Sequence, residues 1–119
     1  MLAVFSLDFL VSAQRKTQVQ QDGYHLVGLF NNNVIVCVAS YTISPHTELE
    51  REMIVHDMST LEGEQSKGYR SELLKHLDKY AIELRCGRTL LTSANASKFY
   101  EKNGYIAHAV ALKKIHSRT

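Results

Sequence analysis

Residues 64 to 71 read Glu64-Gln65-Ser66-Lys67-Gly68-Tyr69-Arg70-Ser71, a composition suited to binding an anion. A glycine at the mouth of a helix has no Cβ to keep an anion away from the unpaired first-turn amides. Those amides carry partial positive charge, and Lys67 and Arg70 add full charges beside them. With a strand upstream, this is a strand–loop–helix cradle for a phosphate or pyrophosphate group. A glycine turn that merely enters a packed helix fits the same residues, and this segment alone leaves both readings open. Upstream, Glu52 and His56 fall on one face of an expected strand. Either has the chemistry of a general base, acting directly or through water.

These groups need elements to position them. Downstream of Gly68, Tyr69, Leu73, Leu74, Leu77, Tyr80, Ala81 and Leu84 recur at steps of three and four. That spacing predicts an amphipathic helix, with Glu72, Lys75, His76, Asp78, Lys79 and Glu83 on its wet face. Gly87 is the expected left-handed closing residue. Tyr24 to Phe30 and Val34 to Thr42 are β-rich runs separated by Asn31-Asn32-Asn33, a hairpin signal because asparagine tolerates positive φ. Ile43 to Leu49, with Pro45, reads as a loop, and Glu50 to Thr60 as a third antiparallel strand. Along it Glu52, Ile54, His56 and Met58 share one face; Met53, Val55, Asp57 and Ser59 share the other.

Arg88 to Thr92 reads as a strand made parallel to the Glu50–Thr60 strand by a right-handed helical crossover. Ser93-Ala94-Asn95 forms a loop, and Ala96 to Lys102 a short helix ended by Asn103-Gly104. Tyr105 to Ile115 reads as a final strand. Before the hairpin, Asp8 to Gln21 reads as an amphipathic helix that frays outward. The apolar opening, Met1 to Ala13, reads as a short strand or helix covering the core. It lacks the basic start of a signal peptide, is broken by Asp8, and is too short for a membrane span.

At 119 residues the chain is expected to form one domain, residues 1–119. Its 45% hydrophobic and 22% charged residues are those of an ordinary globular protein. A net charge of +2 gives no argument for nucleic acid or membrane as a partner. Cys37 and Cys86 have no CxxC spacing and read as free thiols of a reducing, cytoplasmic setting. Six histidines fall without ligand spacing, so no metal site is expected.

The 64–71 segment resembles motif A of the GCN-five-related N-acetyltransferases, the GNAT superfamily. The family pattern, Gln/Arg-x-x-Gly-x-Gly/Ala, is met by Gln65 and Gly68, with Arg70 where a small residue is usual. Arg70 there either crowds the pyrophosphate or adds a charge to it. A second segment, Ala96-Ser97-Lys98-Phe99-Tyr100-Glu101-Lys102-Asn103-Gly104-Tyr105, is similar to the superfamily's Ala-x-x-Phe-Tyr-Glu-Lys-x-Gly-Phe signature. Both segments in the family's order are far more specific than either alone.

The resemblance implies an α/β (α+β) fold: a mixed, mostly antiparallel sheet with a V-shaped splay, flanked by helices and short at the N-terminus. It implies acetyl transfer from acetyl-CoA to a primary amine on a small molecule or protein, with coenzyme A as product. Gln65, Ser66, Lys67, Gly68, Tyr69, Arg70 and Ser71 would hold the pyrophosphate. Met58, Ser59 and Thr60 would pair with the pantetheine arm and the acetyl carbonyl, and Ser93 and Asn95 would touch the same arm. Tyr100 matches the family's general acid, and His56 and Glu52 are the candidate bases. The family's additional N-terminal strand and helix are not evident, which suggests that a second subunit completes the site, as a homodimer. The rival reading is a non-catalytic acyl-CoA-binding or interaction module of the same fold. A dinucleotide-binding unit is disfavoured, because there is no GxGxxG and the early hairpin opposes an all-parallel sheet.

Overall fold

A computed structural model describes residues 1–10, 24–45, 51–92, 97–108 and 112–117 of the chain. Among them the sheet has five strands in sequence order: β1 (Leu2–Ser6), β2 (His25–Asn31), β3 (Val34–Ser44), β4 (Arg51–Thr60) and β5 (Cys86–Leu91). Successive strands from β1 to β4 are antiparallel, and β5 lies parallel to β4. The crossover between β4 and β5 is helix α1 (Tyr69–Glu83), and a short helix, α2 (Ser97–Lys102), follows β5.

Local chemistry explains most boundaries. The β2–β3 hairpin pairs Asn31 with Val34 and turns at Asn32 and Asn33, whose φ values are 50° and 70°. Both central residues are left-handed, the geometry that asparagine tolerates and that suits the twist of a two-residue hairpin. Gly68, with φ of 80°, is the N-cap of α1. At the other end the expectation is corrected. The helix stops at Glu83, the left-handed residue is Arg85 with φ of 60°, and Gly87 lies inside β5. Arg51 at the start of β4 donates from Nε and Nη2 to the Leu84 carbonyl, tying the helix end to the sheet.

The core fills the space between α1 and one sheet face. Leu73, Leu74, Leu77 and Ala81 of α1 meet Val27, Leu29, Cys37, Ala39, Tyr41, Met53 and Val55. Removing each leucine side chain from water contributes about 2 kcal/mol. This burial, stronger than helix propensity, fixes the rotation of α1 and so the direction in which its first turn faces.

Three other expectations change. The opening segment is strand β1, one of the two forms expected of it, but where a helix is expected from Asp8 there stands a 3-10 turn, Asp8–Leu10. There the Asp8 carboxylate accepts from Leu26 N–H at 2.8 Å and meets His25 Nδ1 at 3.1 Å. The rest of the helix expected to Gln21 lies outside the described residues. Strand β3 continues through Ile43 to Ser44, stopping at Pro45, so the loop expected from Ile43 starts later. The described residues of the expected last strand, 105–108 and 112–115, form none. Ile106, Leu112 and Ile115 there are 87%, 92% and 83% exposed, so they cover no sheet face.

The decisive irregularity is a bulge in β4. Ser40 of β3 pairs with Asp57, but Tyr41 pairs with Val55, leaving His56 as the extra residue. An inserted residue reverses the inward–outward alternation beyond it. Cross-strand partners share a face, so Met53, Val55, Met58 and Thr60 line up with Ile43, Tyr41, Ala39 and Cys37 on the α1 side. Glu52, Ile54, Asp57 and Ser59 take the far side. The grouping expected from strict alternation therefore holds only up to Val55.

Candidate active site

Strand β5 accompanies β4 from Arg51 to Val55, where Leu91 is the last partner. From Asp57 to Thr60, β4 pairs with β3, and no pairing with β5 is formed among the described residues. Strand β5 thus ends short of Met58, and among the described residues no strand pairs with that edge of β4 beyond Val55. On the α1 side of this edge lies a cleft of 440 Å³ walled by Met58, Thr60, Glu64, Gln65, Ser66, Gly68, Tyr69, Arg70, Ser71 and Phe99. A recess of 360 Å³ is walled by Tyr24, Leu26, Val38, Ala39, Ser40, Asp57, Met58 and Ser59. Leu26, Ser40 and Asp57 are cross-strand partners, as are Val38 and Ser59, which places this recess on the far face. Met58 belongs to both walls.

The connection from β4 to α1 is held by its own backbone. Leu61 N–H donates to the Val36 carbonyl at 3.0 Å, Glu64 N–H to the Leu61 carbonyl at 3.0 Å, and Gly63 N–H to Gln65 Oε1 at 3.0 Å. Gly63, Ser66 and Gly68 are all left-handed. A Cβ built on Gly68 meets nothing within 4 Å, so glycine is required there by φ and not by crowding. Helix α1 has no side-chain cap, which leaves its first-turn amides open beside the cleft.

The charges fit an anion. Arg70 walls the cleft, and its Nε is buried without a hydrogen-bond partner. Glu64 shares the wall, but its carboxylate is paired with Lys67 Nζ at 3.1 Å. Tyr69 accepts a hydrogen bond from Asn31 Nδ2 at 3.0 Å, which anchors the first turn to the hairpin.

The structure sorts the residues expected from sequence. Gln65, Ser66, Gly68, Tyr69, Arg70 and Ser71 come together on one wall, opposite Met58 and Thr60. Ser59 turns to the far recess. Ser93 and Asn95 lie outside the described residues. The Tyr100 hydroxyl accepts from Arg70 Nη2 at 3.0 Å, one hydrogen bond from the cleft wall. His56 bonds Thr42 Oγ1 through Nε2 at 2.8 Å and stacks on Tyr24, a wall residue of the far recess. Glu52 is 8% exposed and accepts from Arg88 Nε at 2.6 Å, on neither wall.

Sequence reasoning missed Phe99 as a wall residue, and it set Asp57 apart from Glu52. Asp57 in fact shares that face, lines the far recess and accepts from Ser40 Oγ at 3.3 Å. A bulge has no signature in β4's residue types, so nothing in the sequence signalled this. Among the described residues no helix is long and apolar enough to cross a membrane.

Comparison with known proteins bears on this geometry. The model of the acetyltransferase (GNAT) family matches residues 4–105. No curated protein matches the chain at a significant level. Among solved structures, an acetyltransferase of Trypanosoma brucei is similar over 98% of this chain and 100% of its own, at TM-score 0.82 and 18% identity. The glucosamine-6-phosphate N-acetyltransferase of Arabidopsis thaliana is similar over 98% and 99%, at TM-score 0.79 and 13% identity. An aminoglycoside acetyltransferase from an uncultured soil metagenomic sample, solved with trehalose, is similar over 99% and 97%, at TM-score 0.78 and 11% identity. Identities this low speak for a shared fold.

Proposed function

The chain belongs to the GNAT acetyltransferase family, and we propose that it moves an acetyl group from acetyl-CoA to a primary amine. The observation that carries this reading is the pair of depressions on opposite sheet faces that share Met58, beyond the end of β5. One takes the donor and the other the acceptor, so the two reactants meet across a strand edge.

On the donor side, the uncapped amides of α1 with Gln65, Ser66, Gly68 and Ser71 suit the diphosphate of coenzyme A. Lys67, paired with Glu64, offsets the charge of that carboxylate on the wall. The edge of β4 from Met58 to Thr60 offers backbone groups to the pantetheine arm, a form of strand addition. A backbone N–H near Met58 is then the donor to the acetyl oxygen as it gains charge. Tyr100 returns a proton to the departing thiolate, since a phenol keeps its proton at neutral pH yet can pass it to a thiolate.

On the acceptor side, the exposed Asp57 carboxylate and the His56–Tyr24 pair flank the route of an incoming ammonium. Either Asp57 or His56 can accept its proton, directly or through water. Glu52 is held by Arg88 and supports the sheet instead. Cys37 and Cys86, which are not joined in a disulfide, accord with a cytoplasmic setting. A homodimer belongs to the same proposal, and light scattering showing monomer alone removes that part of it.

The test is release of coenzyme A from acetyl-CoA with a panel of primary amines, small polyamines and lysine peptides, repeated with Tyr100→Phe. Turnover that falls about 100-fold or more in the variant supports the proposal. Calorimetric binding of acetyl-CoA without turnover on any amine identifies a non-catalytic acyl-CoA-binding module instead.

A further inference from the structure

Arg70, the residue that departs from the family pattern, links Tyr100 to the cleft wall. Its Nη2 donates to the Tyr100 oxygen at 3.0 Å. Its guanidinium lies 4.6 Å from the centre of the Phe99 ring and 5.8 Å from that of Tyr100. Arg70 and Phe99 wall the cleft, and Tyr100 beside them is half-buried. A guanidinium has donors and no acceptor. The bond therefore occupies a lone pair of the phenol oxygen and leaves the phenolic proton free to point elsewhere. A carboxylate or carbonyl partner would have captured that proton. The flat fork is fixed by stacking on Phe99, an arrangement a lysine cannot reproduce.

The geometry points to Arg70 as a positioning residue for acetyl transfer: it holds the Tyr100 oxygen with its proton directed away from Nη2, and it carries the compensating charge once that proton has left. The inference rests on the reading of Tyr100 as proton donor. In that step the amine nitrogen bonds the carbonyl carbon, the carbon–sulfur bond breaks, and its electron pair stays on sulfur. The Tyr100 proton passes to sulfur, giving the thiol of coenzyme A. The phenolate left beside Arg70 recovers a proton from the one shed by nitrogen, carried through water. The phenolate, the one anion left on the protein, thus forms beside a fixed cation.

The neighbouring phenol does not compete for the guanidinium. Tyr105 packs edge-on to Tyr100 at 5.8 Å, and its hydroxyl is buried without a partner. Burial, with smaller contributions from Asp78 and Tyr100, pushes its pKa up to about 12, so it stays neutral. Helix α1 fixes the other end: Arg70 lies two residues after the Gly68 cap, and Leu73 and Leu74 beyond it are at most 1% exposed. The arginine stem therefore leaves a rigid turn.

The experiment is a double-mutant cycle in steady-state kinetics with the amine that turns over best: wild type, Arg70→Ala, Tyr100→Phe and the double variant. Arg70→Ala is expected to lower kcat about 10- to 100-fold, with KM for acetyl-CoA changing less than about threefold. Added to Tyr100→Phe, it is expected to cause no further loss, because its effect runs through the missing hydroxyl. Arg70→Lys keeps the charge without the planar fork and is expected to recover only part of kcat; its thermal melt checks folding independently of the alanine variant. Losses that multiply in the double variant, or that appear in KM and calorimetric affinity for acetyl-CoA instead of kcat, make Arg70 a cofactor ligand. That result overturns the inference and leaves the acetyltransferase reading standing. A wild type that releases no coenzyme A with any amine overturns that reading and this inference together.

Discussion

Gly68→Ala isolates the backbone geometry on which the donor cleft depends. The residue has φ of 80° and ψ of 8°, and a Cβ there would meet nothing within 4 Å. No protein atom resists the extra methyl, so the change in stability is conformational. An L-residue with a Cβ in the left-handed region costs about 1–2 kcal/mol. Alanine also restricts the unfolded chain, which offsets about 0.5–1 kcal/mol of that. The net loss is about 1 kcal/mol, or a fall of about 3–6 °C in Tm for a chain of this size. Gly68→Asn should lose about half as much, since asparagine tolerates this conformation. Gly68 also walls the cleft, so its new Cβ stands where a bound diphosphate would lie. Melting each variant with and without acetyl-CoA separates the two effects. The stabilisation by ligand should shrink for both variants, while the ligand-free Tm should order wild type, Asn, Ala. An alanine variant that melts with the wild type, or an asparagine variant less stable than the alanine one, refutes the conformational argument.

Gly28→Ala should destabilise for the opposite reason. Its Cβ would sit 2.8 Å from Leu7 Cδ1, 3.1 Å from Ile35 Cδ1 and 3.2 Å from Phe30 Cε1, and overpacking of this kind costs about 1–3 kcal/mol in chemical denaturation. Leu77→Ala, at a site 1% exposed between α1 and the sheet, should lose about 2–5 kcal/mol by the same measurement. Arg88→Ala should cost more stability than Glu52→Gln, because it strands a carboxylate that is 8% exposed. Equal losses in the two variants count against a stabilising Arg88–Glu52 pair. Tyr41 and Tyr105 both have pKa values pushed up to about 12 by burial, so they hold their protons in the folded chain after the unfolded chain has begun to lose its own. Below about pH 10 both states are protonated and this stability is fully present; it drains away as pH climbs from about 10 to about 12. Denaturation midpoints measured from pH 8 to 11.5 should fall in that window, and Tyr41→Phe should flatten the fall.

Much of the frame was legible because it is written in local chemistry. The asparagine run specifies positive φ at Asn32 and Asn33, the three-and-four spacing of Leu73, Leu74 and Leu77 specifies the buried stripe of α1, and Gly68 specifies where that helix begins. Each signal concerns residues within a turn or two of one another. Residues of the 64–71 segment and Phe99 of the 96–105 segment line one cleft, although the two segments lie far apart in sequence.

What depended on distant residues was not legible. Strict alternation put His56 with Glu52 and Asp57 opposite; the bulge at His56 moved Asp57 and Ser59 to Glu52's side and sent Met58 and Thr60 to the α1 side. A bulge is chosen by the pairing of two strands, and neither strand's residue types announce it. Nor could the sequence show that Arg88 would occupy Glu52, or that Arg70 would reach Tyr100, thirty residues away. The sequence by itself determined which segments turn, coil and bury their apolar faces, because those choices are set by neighbouring residues. The tertiary structure alone decided which side chains face the two depressions, because register, bulge and ion pairing are properties of the packed sheet.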